Sequence, residues 1–292
     1  MRATAIQRSN QRIWLRKKIG LILRYTVLFA VGIVMMYPLL WMLGSSFKAD
    51  NTEIFAGIGL LPKKFSLDAY VKGWTGTGYP FSTFMLNTYK IVFPKVIGVV
   101  ISSVLTAYGF ARFKFRGRSV LFALVMSMLF LPQVVLNIPQ YLLYVDLGWI
   151  NTYLPLIVPA FFANEPYFIF LLVQFMKTIP REIEEAAEID GCNSFRRLIY
   201  VIVPMIWPAV VSVALFQFMW ASNDFQGPLI YINTVSKYPA TMGLKIIMDA
   251  ETGIEWNMVL ALSVISILPT LLVFFLSQKQ FIDGIAMGGV KG

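Results

Sequence analysis

The sequence predicts an all-α, polytopic membrane protein with six transmembrane helices, and three features point there. First, the 292 residues are 58% hydrophobic and only 14% charged, with a mean hydropathy of +0.69, which leaves too few polar side chains to coat a water-soluble surface. Second, six stretches reach the length of about 20 mostly apolar residues that a helix needs to cross a bilayer. Third, the lysines and arginines cluster in alternate loops, as they do when basic residues are held on the cytoplasmic side.

The elements follow in order. Residues 1–18 form a basic arm carrying Arg2, Arg8, Arg12, Arg16, Lys17 and Lys18 without an acid. The first span covers 19–43, and it is expected to be retained, since no A-x-A-like cleavage site follows it. The segment 44–83 contains Pro62, Pro80 and several glycines and is expected to be an external loop with short helical pieces. A five-helix core over 84–277 then has spans near 84–110, 120–145, 153–175, 198–219 and 256–277, before a tail at 278–292. Threading six spans from an inside N-terminus leaves sixteen basic residues cytoplasmic and six external. Arg24, Lys90 and Lys95 fall in or beside spans, close enough to the ends to snorkel.

Several function classes drop out on composition. Histidine is absent and Cys192 is the single cysteine, so neither a Ser-His-Asp triad nor a Cys/His metal cluster can form. No G-x-x-x-x-G-K-[ST] phosphate loop occurs, so the chain has no ATPase site of that kind. The +10 net charge sits in juxtamembrane clusters suited to anionic lipid rather than to nucleic acid.

Pro132, Pro139, Pro155, Pro159 and Pro166 interrupt the third and fourth spans, which either lines a cavity or only adjusts helix packing. Glu165 lies mid-span on this threading, where it faces an aqueous cavity or marks a broken helix end.

The stretch REIEEAAEIDGCNSF, Arg181–Phe195, holds five of the fifteen acidic residues. Thr178 and Pro180 suit a helix start, Gly191 a stop, and Asn193 or Ser194 the cap of a second helix. Ile183, Ala186 and Ala187 make a narrow apolar strip, with Glu184, Glu185 and Glu188 beside it. Surface helices that bind anionic lipid are basic; this one is acidic, which favours a protein partner.

EEAAEIDGCNSFRRLIYVIVP resembles the EAA loop of bacterial ABC importer permeases, with Glu185, Ala186, Ala187, Gly191 and Pro204 at the family's spacing and Val201 and Val203 as conservative departures. AYGFARFKFRGR, LGWINTYLPLIVP, MWASNDFQGPLIYI and FIDGIAMGGVKG extend the resemblance to the smaller permease subunit of maltose-type sugar importers. It implies the type I importer permease fold. It also implies a multi-pass protein of the bacterial inner membrane, with both termini cytoplasmic and the EAA loop at 178–199. The expected partners are a second homologous permease, two ATPase subunits that hold the ATP and magnesium, an extracytoplasmic sugar-binding protein and the bilayer, with no cofactor on this chain. By the same resemblance Glu184, Glu185, Ala186, Ala187, Asp190, Gly191 and Pro204 couple to the ATPase. Gly288, Gly289, Val290, Lys291 and Gly292 form a second ATPase contact, and Ser236, Lys237, Tyr238 and Pro239 meet the binding protein.

An ion-coupled secondary transporter would show inverted repeats and midplane acids, and a non-transporting adaptor would not need kinked central helices. The cargo stays open, with an acidic oligosaccharide such as a uronate fragment allowed by Lys90, Lys95 and Lys245.

Overall fold

In the computed structural model the backbone is described for residues 2–249 and 254–289. Among these residues there is no strand beyond one antiparallel bridge between Lys48 and Phe65. The helices in chain order are α1 (Arg2–Ser45), α2 (Asn51–Phe55), α3 (Asp68–Thr75), α4 (Phe81–Arg112), α5 (Arg118–Ser127), α6 (Gln133–Asp146), α7 (Leu154–Ile157) and α8 (Pro166–Thr178). They continue with α9 (Arg181–Ile189), α10 (Ser194–Arg197), α11 (Val203–Met205), α12 (Trp207–Ser222), α13 (Gln226–Tyr231), α14 (Ala240–Met248) and α15 (Trp256–Gly289). Four segments are long and apolar enough to span a bilayer, and six if each of two bent pairs counts as one span. The expected all-α, six-span class therefore holds.

The chain folds as two units, residues 1–72 with 255–264 and residues 73–254 with 265–292. In the first, α1 is one helix, so the basic arm and the first span share a backbone. Phe29 and Met35 are 72% and 73% exposed, which suits side chains that meet lipid or another subunit. The segment after α1 folds back on its end. The Leu60 carbonyl oxygen lies where a Cβ on Gly44 would stand, so only glycine allows that approach. Buried Lys48 donates to the carbonyls of Gly59 at 3.2 Å and Glu53 at 3.4 Å. Asp50 caps α2 by accepting from the Thr52 N–H at 2.8 Å, a bond that lowers its carboxyl pKa.

The second unit is built around α4, which packs on α8, α12 and α14. Gly98, Ser102, Ser103, Ala107 and Ala111 are buried on α4, and small residues of this kind let membrane helices approach closely. They meet a core that includes Phe168, Ile169, Leu172, Met176, Ile202 and Val213. A Cβ on Gly98 would come within 2.8 Å of the Phe161 ring. Gly98→Val is therefore expected to overpack this face, at about 1–3 kcal/mol, and to reduce the monodisperse fraction in size-exclusion chromatography, with Gly98→Ala milder.

Proline sets the interruptions. Pro132 holds Leu131 in extended backbone, because the residue before proline is driven out of the helical region, and the helices on either side meet at 104°. Pro208 lies in the first turn of α12, after Ile206 leaves helical geometry at ψ 15°, and the bend there is 82°. Upstream, Pro204 lacks the N–H that would bond back one turn. The preceding Leu198–Ile202 is a π-helix, and the Val203 N–H bonds back to Leu198.

Candidate functional site

The acidic stretch is the helix-turn-helix that local chemistry dictates. Pro180 immediately precedes α9, and Glu182 and Glu184 stand in its first turn, where the helix dipole favours negative charge. The stop is a Schellman motif: the Cys192 N–H donates to Ala187 O at 2.9 Å and the Gly191 N–H to Glu188 O at 3.0 Å. This needs φ +84° at Gly191, a conformation that glycine adopts without a Cβ penalty. Asn193 then caps α10 by accepting from the Arg196 N–H at 2.9 Å.

The seven residues of the expected coupling set occupy different positions. Glu185, Ala186 and Asp190 are exposed, Ala187 is half-buried, and Ile183 and Ile189 also stand out toward solvent. Glu184 turns inward: its side chain is 11% exposed and its Oε1 lies 2.6 Å from Arg112 Nε at the end of α4. The N–H of Arg112 is not aligned for a hydrogen bond, so the contact is an ion pair. Another Arg112 nitrogen, Nη2, donates to the Ile179 carbonyl at 3.0 Å. Glu188 pairs with Arg197, which also donates to Ser194 Oγ at 3.1 Å. Arg112 thus ties together the ends of α4 and α8 and the start of α9, while Glu188 and Arg197 join α9 to α10. Pro204 stands apart, exposed in α11. By sequence Arg112 is one of four basic residues in a lipid-facing loop. Its one distinguishing sign is that it ends a largely apolar helix.

Gly288 and Gly289 lie in the last turn of α15, and Val290, Lys291 and Gly292 are outside the described residues. In the expected binding-protein loop, Ser236, Lys237 and Tyr238 are half-buried and Pro239 is buried. Asn87 Nδ2 donates to Ser236 O at 2.8 Å and to Tyr238 O at 3.1 Å. Tyr153 Oη donates to Lys237 O at 3.0 Å, and Lys237 Nζ to Asn151 O at 2.7 Å. Asn151, at φ +62°, also accepts the N–H groups of Asn233 and Thr234 at 3.1 Å. The exposed part of this loop is therefore at Asn233 and Thr234.

A cavity of about 550 Å³ opens between α4, α6, α8, α12 and α13. Here Glu165 satisfies both expectations. The fourth span breaks at residues 163–165, where Ala163 is left-handed at φ +56° and Pro166 holds Glu165 out of helical geometry, and Asn164 and Glu165 line the cavity at that break. Lys95 also lines it and lies 3.6 Å from Asp224. This departs from the expected snorkelling, because a carboxylate within reach holds the ammonium inside.

The profile of the family described as "Binding-protein-dependent transport system inner membrane component" matches residues 96–281. The chain is 32% identical over 268 residues to the "Probable ABC transporter permease protein YurM" of Bacillus subtilis (strain 168), covering 92% of this chain and 88% of that protein. It is 30% identical over 262 residues to the "Trehalose/maltose transport system permease protein MalG" of Thermococcus litoralis, covering 90% and 94%. Its fold is similar to that of a chain in the crystal structure of a bacterial ABC transporter involved in the import of the acidic polysaccharide alginate, with a TM-score of 0.77, 23% identity and coverage of 90% and 97%. The profile match spans more than half of the chain, and it falls on the same helices that carry the acidic turn and the cavity. The chain belongs to the family of inner-membrane permease components of binding-protein-dependent ABC importers.

Proposed function

We propose that this chain is one of two homologous permeases of an ATP-driven importer for sugars or oligosaccharides delivered by an extracytoplasmic binding protein. Family membership supports the importer part, and the trehalose/maltose permease among the relatives supports the sugar class. The observation that carries the coupling role is the division of α9. One side is fastened to the permease through Glu184 and Arg112, and the other presents Ile183, Glu185, Ala186 and Ile189. A short helix held this way acts as a rigid lever, so closure of an ATPase pair against its outer side moves α4 and α8 with it.

In this scheme two cytoplasmic ATPase subunits bind the ATP and magnesium, and this chain has no catalytic residue. Both termini and the acidic turn are cytoplasmic. The tail at 288–292 makes a second ATPase contact. The binding protein meets the external loop around residues 233–239, where exposed Asn233 and Thr234 are the accessible positions for mutation. Asn233→Arg with Thr234→Arg is expected to lower binding-protein-stimulated hydrolysis several-fold without loss of the assembled complex. Stimulation unchanged at every binding-protein concentration would remove this loop from the contact.

The test of the whole scheme is co-expression with the candidate partners, followed by reconstitution. The expected outcome is a complex of this chain, a second permease and two ATPase copies, whose hydrolysis rises when loaded binding protein is added. ATP hydrolysis or substrate uptake by this chain alone would overturn it.

A further inference from the structure

We propose that the cavity lined by Lys95, Glu165 and Asp224 is a binding subsite for an uncharged sugar unit, carried by this chain itself, and that its surplus carboxylate screens out carboxylated sugars. This rests on the importer reading above and adds the substrate class to it.

Three observations carry the inference. The first is size: about 550 Å³ falls within the roughly 300–1,000 Å³ usual for small-molecule sites. The second is the lining. Trp220 stacks on the fully buried Phe168, centroid to centroid 5.0 Å and tilted 26°, and remains 48% exposed. Tyr167 stands 6.0 Å from it. The ring is thus backed by Phe168 and lines the cavity, a platform of the kind on which the C–H face of a pyranose stacks. The same cavity is lined by polar groups with nothing to bond. The Asn137, Gln140 and Asn164 amides and the Glu165 carboxylate make no side-chain hydrogen bond to any described residue. Planar amides and carboxylates offer paired donors and acceptors at the spacing of adjacent hydroxyls.

The third observation is charge. Lys95 is the one cation among the lining residues, against two carboxylates, Asp224 and Glu165. It is already committed to Asp224 at 3.6 Å, and Asp224 is itself held by the Gly227 N–H at 3.0 Å. A hydroxyl entering the cavity finds a free acceptor in Glu165. A uronate carboxylate finds no unpaired cation, because Lys95 is shared between Asp224 and Glu165, and meets a lining with one carboxylate in excess, in a place where water is partly excluded and repulsion is correspondingly stronger. This decides against the acidic oligosaccharide that the lysines alone leave open.

Saturation-transfer NMR on the assembled, detergent-solubilised importer without its binding protein tests this, with maltotriose, cellotriose and galactotriose as neutral probes and trigalacturonate as the acidic one. At least one neutral trisaccharide is expected to receive saturation, trigalacturonate none. Trp220→Ala should reduce the neutral signal at least fivefold, and Trp220→Phe, which keeps a stacking face, should restore most of it. Glu165→Gln removes the surplus charge with little change of shape and should bring trigalacturonate from no saturation to a detectable signal. Trigalacturonate binding to the unmodified complex as well as the neutral sugars do, or no neutral binding at all, would overturn the subsite. Failure of this chain to co-purify with a second permease and ATPase would instead sink the importer reading, so the two failures are distinct.

Discussion

Glu185→Lys is expected to release the ATPase from the assembled importer and abolish substrate-stimulated hydrolysis and uptake, while membrane insertion is retained. Glu185 is exposed on α9, beside Ala186 and within a helix of nine residues. So small an element buries little area in any groove, and its hold rests on one or two well-placed contacts. A charge-assisted hydrogen bond from the carboxylate contributes about 1.5–3 kcal/mol, roughly 10- to 150-fold in affinity, and reversal of the charge adds repulsion to that loss. Ala186→Trp tests the steric half. Ala186 is the better position for it than Ala187, which is half-buried and would transmit the strain into the permease itself. A compensating charge reversal on the ATPase should partly rescue Glu185→Lys and leave Ala186→Trp unchanged. Co-purification and uptake in proteoliposomes report both, and normal uptake by Glu185→Lys would reduce α9 to a solvated surface helix.

Arg112→Met should have the second large effect, by a different route. It takes from the Glu184 carboxylate, 11% exposed, its one counter-charge in direct contact and leaves only the more distant Arg197. Breaking one side of a buried ion pair costs about 3–5 kcal/mol, whereas replacing both partners by apolar residues of similar size is often neutral. The single variant is therefore expected to melt roughly 10 °C lower or more, and Arg112→Met with Glu184→Met to recover most of that loss. The double variant still lacks the Arg112 bond to the Ile179 carbonyl, which joins α8 to α4 beside α9. It should accordingly assemble with the ATPase but hydrolyse ATP with weak coupling to uptake. An ordinary structural role predicts that coupling returns together with melting temperature. Equal recovery of both would show that the pair supports the fold without transmitting motion.

Much of this molecule was legible without coordinates. The spans could be read because apolar length against a bilayer is a local, additive property. The turn at Gly191 and the cap at Asn193 could be read because each depends on a residue's own backbone freedom or side-chain oxygen. The breaks at Pro132 and Pro166 were equally visible, since proline acts on its immediate neighbours. The site was legible as a stretch but not as a surface. Glu184 and Glu185 are adjacent acids in one motif, yet one is locked inward and the other is free.

Composition, spacing and local backbone chemistry by themselves determined that this is a helical membrane protein with an acidic, capped turn and kinked central spans. Only the tertiary structure decided the pairings: Glu184 with Arg112, Lys95 with Asp224, and the 104° and 82° bends of the broken spans. The physical reason is range. Caps, prolines and apolar runs act within one or two turns of chain. An ion pair between distant helices, and the angle at which a broken span resumes, depend on which other side chains fill the space around them.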